Sequence, residues 1–252
     1  MRPINILLLL LLSAAVFYGQ TKTVEPLASY PPFADSLQLV VVTARDWNSS
    51  IGTARLFNRE DTRSKWKPAS DKFAVVLGKN GLALAKGVTA KDFTTVKAEG
   101  DGRSPAGLFP LTEAFGTGVK PVAVEMPYSK LGEYTECVDD PRSQFYNRIV
   151  DRMKVGVFDG KSSEKILAVG EPYALGVFVG FNSFPVEKGS GSCIFLHVWK
   201  DQNTATEGCT AMERRNVERI LGWIVRSKNP YLVQLTEADY KTKQKAWELP
   251  KL

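Results

Sequence analysis

The chain has 252 residues, 44% hydrophobic and 24% charged, with 33 Lys and Arg against 27 Asp and Glu for a formal charge of +6. That length allows one large domain or two small ones, and the apolar share suits a folded protein with a substantial core. The basic excess is spread without long Lys/Arg runs, which excludes a nucleic-acid-binding reading and suits a polyanionic surface outside the cytoplasm.

At the amino end, "MRPINILLLLLLSAAVFYGQTK" places one arginine before an apolar run from Ile6 to Tyr18, followed by small or polar residues. This is the layout of a secretory signal peptide, so residues 1–19 are read as a leader and 20–35 as a linker. Loss of Arg2 with the leader takes the formal charge from +6 to +5. No later stretch approaches the roughly 18 apolar residues of a membrane helix, so no stable span is expected after cleavage. An uncleaved anchor is the alternative. The destination is the periplasm or cell envelope. Three cysteines in an exported chain leave one over. Cys137 and Cys193 are candidates for a bridge in an oxidising compartment, with Cys209 left free, although the sequence leaves that pairing open.

From residue 36 the pattern turns β-rich. "SLQLVVVT", "TARLFN" and "KFAVVLG" read as strands of an antiparallel sheet separated by turn-prone segments, and "GKNGLALAKG" as a turn at Asn80-Gly81 and another strand. "EGDGRSPAGLFPL" is dense in Gly and Pro, which predicts a tight loop leading into a strand over 108–111. Around Cys137, "ECVDDPRSQFYNRIVD" offers Asp139, Asp140, Tyr146 and Asn147 as groups to meet a substrate ammonium or amide. A turn with an Asx cap explains Asp140-Pro141 equally well. "YALGVFVGFN" and "GSCIFLHVW" read as buried strands; in the second, Cys193, Phe195 and His197 share one face if the strand is regular. In "TAMERRNVERILGWIV", Val217, Ile220, Leu221 and Ile224 form a helical stripe, and Thr210 with Glu213 fits a capping box. Cys209 is therefore expected immediately before a helix amino terminus. The last strand is placed at 231–235 and a surface tail at 239–252, leaving a single domain over 36–238. The fold class is mainly β with flanking helices (α+β).

The chain's one histidine, His197, precedes Cys209 by twelve positions. A thiol acts as a nucleophile through its thiolate, which a helix amino terminus or a nearby imidazolium stabilises. Gly208 allows close approach of a substrate, and backbone amides around Gly208 and Thr210 are candidates for an oxyanion hole. Against this, a lone buried histidine is more often structural, and a lone cysteine more often a small core side chain. One His and one free Cys fall short of a four-ligand zinc site, so no metal and no cofactor is expected. The sequence carries no sign of an oligomer.

The His197 strand followed by "TEGCTAM" resembles the catalytic motif of the L,D-transpeptidase family (YkuD-type domains), a histidine followed at a distance by Ser/Thr-His-Gly-Cys. Thr206, Gly208 and Cys209 match it, and "RSPAGLFPL" is similar to that family's T/S-P-x-G-x-F element through Ser104, Pro105, Gly107 and Phe109. The resemblance runs over roughly 37–235. It implies a β-rich domain acting on peptidoglycan stem peptides, in which Cys209 attacks the carbonyl between a diamino acid and D-alanine and forms a thioester. His197 assists as base and then protonates the leaving amine. An amine acceptor yields a cross-link; water yields L,D-carboxypeptidase activity. Two departures stand out: Glu207 replaces the family's histidine before Gly-Cys, and the interval from His197 to Cys209 is short. Glu207 is therefore a candidate to tune the pair, with a solvated loop carboxylate as the alternative. Trp199 is a candidate groove wall or a packing residue. Arg103 is a candidate for a substrate carboxylate or a surface residue. A non-catalytic wall-binding module and another secreted thiol hydrolase are the competing function classes.

Overall fold

The computed structural model describes residues 33–252, so the expected leader and all but the last three residues of the expected linker lie outside the described residues. Strands follow in chain order as β1 (Gln38–Ala44), β2 (Ile51–Asn58), β3 (Lys67–Pro68), β4 (Phe73–Val76), β5 (Leu82–Leu84), β6 (Ser104–Gly116) and β7 (Tyr128–Lys130). They continue as β8 (Thr135–Cys137), β9 (Ile149–Asp151), β10 (Glu164–Lys165), β11 (Leu175–Val179), β12 (Phe195–Val198), β13 (Thr210–Met212) and β14 (Tyr231–Thr236). The helices are α1 (Arg214–Trp223) and α2 (Glu237–Lys243).

Strands pair in the order β1-β14-β6-β11-β12-β13-β4-β2, and β2 pairs back onto β1, so the sheet closes into a barrel-like ring. Closure leaves these strands no open edge. The physical signature lies in β1, "QLVVVTA", buried at every position because it is covered on both faces. Its partners are β14 in parallel (Val41↔Val233) and β2 antiparallel (Val41↔Arg55). α1 packs on β11 and β12 through the stripe expected from sequence: Val217, Ile220 and Leu221 are buried, with Ile224 just beyond the helix.

Four expectations change. Residues Thr210–Met212 form a strand between β12 and β4, and the helix begins only at Arg214. Thr210 does not cap it: its hydroxyl is bonded to Gln234 Oε1 at 2.7 Å, and Glu213 holds the N-cap position without a side-chain bond. Backbone partners on both sides outcompete the local cap, so Cys209 precedes a buried strand and not a helix dipole. Second, β6 starts at Ser104, inside the expected loop, because β5 pairs with it in parallel from Leu82↔Ser104 to Leu84↔Ala106. Third, the carboxyl end is packed, not a surface tail. Tyr240 and Leu249 are buried, Trp247 lies against the core, and Tyr240 Oη donates to Pro250 O at 2.8 Å. Fourth, Phe33, assigned to the linker, is buried in the main core.

A small separate sheet, β10-β8-β9, forms around Cys137, a region to which the sequence reading assigned no strand. Cys137 in β8 is bonded to Cys193, with Cα atoms 6.0 Å apart, leaving Cys209 as the free cysteine. The bridge ties this sheet to the segment entering β12.

Candidate active site

β12 and β13 run parallel in the register Leu196↔Thr210 and His197↔Ala211. Alternation along a strand puts His197 and Phe195 on one face, and the parallel pairing brings Cys209 to that same face, two positions before Ala211. Both side chains line a cleft of about 440 Å³ together with Tyr173, Glu164, Glu99 and Trp199. Cys209 is 6% exposed and His197 likewise 6%.

The turn before the cysteine is built by hydroxyls. Thr206 Oγ1 donates to Cys209 O at 2.6 Å and accepts from the Gly208 N–H at 3.1 Å. Ser104 Oγ donates to the same carbonyl at 3.1 Å and accepts from Gly78 N–H at 2.8 Å. Gly208 has φ +152°, a conformation that favours glycine, and a Cβ there would stand a tight 3.1 Å from Arg103 O. The sulfur accepts from Phe195 N–H at 3.3 Å, and its own hydrogen is directed at Cys193 O at 3.3 Å.

Burial dominates the electrostatics. It pushes the Cys209 thiol up to about 12, with the nearby Glu164 charge adding to the rise. It pushes His197 down to about 4, against the pull of the Val198 and Pro172 carbonyls. His197 Nδ1 is 2.8 Å from Val198 O, which makes Nδ1 the protonated nitrogen of a neutral ring. Among the described residues no hydrogen bond joins the imidazole to the sulfur. Tyr173 stands beside the imidazole: its ring is edge-on to His197 with centroids 4.8 Å apart, and it lines the same cleft as Cys209. The Tyr173 hydroxyl donates to Glu164 Oε2 at 3.1 Å. Desolvation, reinforced by Asp139 and Glu99, raises Glu164 to about 7. Asp139 Oδ1 is buried without a hydrogen-bond partner. Among the described residues no group of three or more His, Cys, Asp or Glu is arranged to hold a metal ion.

A histidine on β12 and a cysteine just before the adjacent β13, with the Ser104 and Thr206 hydroxyls converging on the cysteine carbonyl, join two distant sequence motifs into one site. The family model for the YkuD L,D-transpeptidase catalytic domain matches residues 47–234. The chain belongs to that family. Among solved structures, the helical cell shape determining protein Pgp2 from Campylobacter jejuni is similar at 13% identity with a TM-score of 0.41. The match covers 79% of this chain and 48% of that one, so the chain spans about half the length of its structural relative. No curated protein matches.

Within this YkuD domain, the residues singled out from sequence divide sharply. Cys209, His197, Gly208, Thr206, Glu207 and Trp199 all line the cleft. Thr210 does not; its side chain points to Gln234 in the core. Glu207 is exposed and pairs with Lys79 at 2.7 Å, contacting neither His197 nor Cys209 through a hydrogen bond. Asp140 is a loop anchor: Arg142 and the Lys161 N–H hold its carboxyl far below the usual carboxylate range. Tyr146 is buried, its hydroxyl bonded to Glu99. Asn147 clamps three backbone groups, donating to Phe181 O and Asn182 O and accepting from Cys193 N–H. Arg103 likewise faces inward, donating to the carbonyls of Trp47 and Leu82. Sequence reasoning missed Tyr173 and Glu164. Neither lies in a motif, and the bridge at Cys137 was the one sequence signal pointing towards the strand opposite Glu164.

Proposed function

We propose that this protein is an exported, cysteine-dependent L,D-transpeptidase that remodels peptidoglycan stem peptides through a thioester on Cys209. The observation that carries this reading is a free cysteine at the floor of a cleft shared with the chain's one histidine, inside a YkuD domain. The leader supplies the route to the cell envelope.

In this reading the Cys209 thiolate attacks the carbonyl between the diamino acid and D-alanine, and D-alanine leaves as the thioester forms. With Nδ1 held by Val198 O, Nε2 of His197 is the basic nitrogen that takes up a proton and returns it to the leaving amine. Backbone amides of the Gly208–Thr210 turn support the oxyanion, and Gly208 N–H must exchange its bond with Thr206 Oγ1 for the substrate oxygen. Trp199, half-buried at the end of β12, walls the groove. Resolution of the thioester by an amine gives a cross-link, and by water a shortened stem.

The test is mass analysis of muropeptides after incubation with the purified protein. Cross-linked dimers identify an amine acceptor and stems shortened by D-alanine identify water. Cys209→Ala must abolish both products while keeping its cooperative melt; an active alanine variant would remove the central claim.

A further inference from the structure

The hairpin that carries β8 and β9 grips one short segment of the cleft lining at three points. Cys137 in β8 is bonded to Cys193, Tyr146 Oη accepts from Gly191 N–H at 3.0 Å, and Asn147 Oδ1 accepts from Cys193 N–H at 3.0 Å. Cys193 is held there with φ +57°, in the left-handed region that side chains other than glycine avoid. Its carbonyl accepts from the Cys209 thiol at 3.3 Å, and Phe195 N–H, two residues on, donates to the same sulfur at 3.3 Å. One turn of chain thus supplies both an acceptor and a donor to the sulfur.

Given the reading of Cys209 as nucleophile, we propose that Asn147 is a positioning residue that acts on it through Cys193. It holds the left-handed turn that aims the Cys193 carbonyl at the thiol hydrogen, and so fixes where the resting sulfur stands. The Asn147 side chain is buried and engaged within the protein: Oδ1 on Cys193 N–H, and Nδ2 on Phe181 O at 2.9 Å and Asn182 O at 2.7 Å. Those two carbonyls lie just past β11, the strand beside β12, so the clamp ties Cys193 to the main sheet as well as to the hairpin. Asn147 has φ +60° itself, a conformation that asparagine tolerates better than most side chains.

The disulfide alone does not aim this carbonyl. It fixes the Cys193 side chain, whereas the carbonyl direction follows the backbone torsions, and a left-handed residue relaxes towards the extended or helical regions unless its neighbours oppose it. Bonds on both sides remove that freedom: Cys193 N–H to Asn147, and Val179 N–H to Ile194 O at 2.9 Å. The chemical consequence is a parked thiol. An acceptor on S–H favours the neutral thiol, and an N–H aimed at sulfur favours the thiolate. In the first step the hydrogen leaves Cys193 O for His197 Nε2: the S–H bond breaks, an N–H bond forms, and the electron pair stays on sulfur. Phe195 N–H then keeps the thiolate where the thiol stood.

The infrared S–H stretching band and the rate of alkylation by iodoacetamide read this arrangement in the purified protein without any peptidoglycan chemistry. Cys209 is the free cysteine, so both signals have one source. The wild-type band should be lowered, as for a thiol bonded to a carbonyl. Asn147→Gly tolerates the same backbone conformation but removes the clamp. Its band should move up as the acceptor is lost, and its alkylation should quicken roughly threefold to tenfold below the thiol midpoint. Acylation by substrate should slow in the same variant, in kcat and not in KM, because the sulfur is misplaced. Asn147→Asp keeps the acceptor for Cys193 N–H while losing both donors to Phe181 and Asn182. Its band should stay at the wild-type position, and its alkylation should be unchanged or slower, since an added negative charge opposes the thiolate. A purely structural Asn147 makes the two variants alike, because both lose the donor bonds. The titrating groups that share the cleft with the sulfur, His197, Tyr173, Glu164 and Lys97, are the same in every variant. Melting curves and a count of free thiols check that each variant is folded with its disulfide. A wild-type band at the position of an unbonded thiol overturns the proposal whether or not the variants fold; so does a folded Asn147→Gly with an unchanged band, or a pair of variants that shift together. If muropeptide turnover fails while the bands behave as described, the transpeptidase reading falls and the clamp on the sulfur stands; the reverse result removes the clamp alone.

Discussion

Ser104 Oγ donates to the carbonyl oxygen of Cys209 at 3.1 Å, joining the start of β6 to the turn that carries the free cysteine across 105 residues of sequence. The same hydroxyl accepts from Gly78 N–H at 2.8 Å, and Thr206 supplies the second donor to that carbonyl. The two sequence motifs are thus a single hydrogen-bonded unit whose product is the position of one sulfur atom.

Ser104→Ala removes the donor from Cys209 O and leaves Gly78 N–H without its acceptor in a fully buried position. The loss should lower stability by roughly 1–3 kcal/mol. Acylation of Cys209 should fall as well, since the turn is then held by Thr206 alone. Denaturant unfolding and the acylation rate of the same preparation check both effects; an unchanged rate in a destabilised variant would confine Ser104 to folding.

The Cys137–Cys193 bridge closes a loop of 56 residues' separation and holds Glu164's sheet against the entry to β12. Its removal in Cys137→Ser should cost about 4 kcal/mol by the chain-entropy account. Titration of thiols in unfolded protein should show one without reductant and three with it. Reductant should also slow acylation by Cys209, because the Cys193 carbonyl and the Glu164 strand both lose their tether.

Glu207→Gln should change little. Its carboxylate pairs with Lys79 at the cleft rim, both side chains more than half exposed, so stability should move by less than ~0.5 kcal/mol. The pH profile of acylation should stay where it is, since the carboxylate bonds with neither His197 nor Cys209. A displaced profile would restore Glu207 as a tuning residue.

Stability against pH carries two opposed contributions from the cleft. His197 falls from 6.5 to about 4 on folding, so its contribution is full above pH 6.5 and is lost as pH drops towards 4. Glu164 rises from 4.5 to about 7, so its contribution is full below pH 4.5 and is lost as pH climbs through 7. Each is worth roughly 3 kcal/mol, and between pH 4.5 and 6.5 they offset one another. Glu164→Gln removes one side of the balance. Urea midpoints for that variant should therefore rise with pH across this window while the wild-type midpoint stays nearly level; parallel curves for the two proteins would contradict the assignment.

The elements legible in the sequence were those whose signal is local. The β-branched apolar run of β1 reads as a covered strand, and the stripe of Val217, Ile220, Leu221 and Ile224 as the buried face of a helix. Cys209 and His197 were likewise visible as a thiol and an imidazole in one stretch, and Ser104 and Thr206 through the resemblance to the family's two motifs. Tertiary structure decided what depends on partners remote in sequence. Thr210–Met212 has the residues for a helix start, yet β12 and β4 supply ladder bonds on both sides and Gln234 takes the threonine hydroxyl. Asp140, Tyr146 and Asn147 are candidate substrate contacts by residue type, but their polar atoms are engaged by Arg142, Glu99 and the backbone around Cys193, and for Asp140 the alternative of an Asx turn holds, its carboxylate accepting from Arg142 N–H. Tyr173 and Glu164 carry no motif and share a cleft with Cys209 only because β10, the turn before β11 and the end of β12 converge there. Burial there, not residue type, drives the thiol and the imidazole towards their neutral forms, and desolvation is a quantity that only a folded chain possesses.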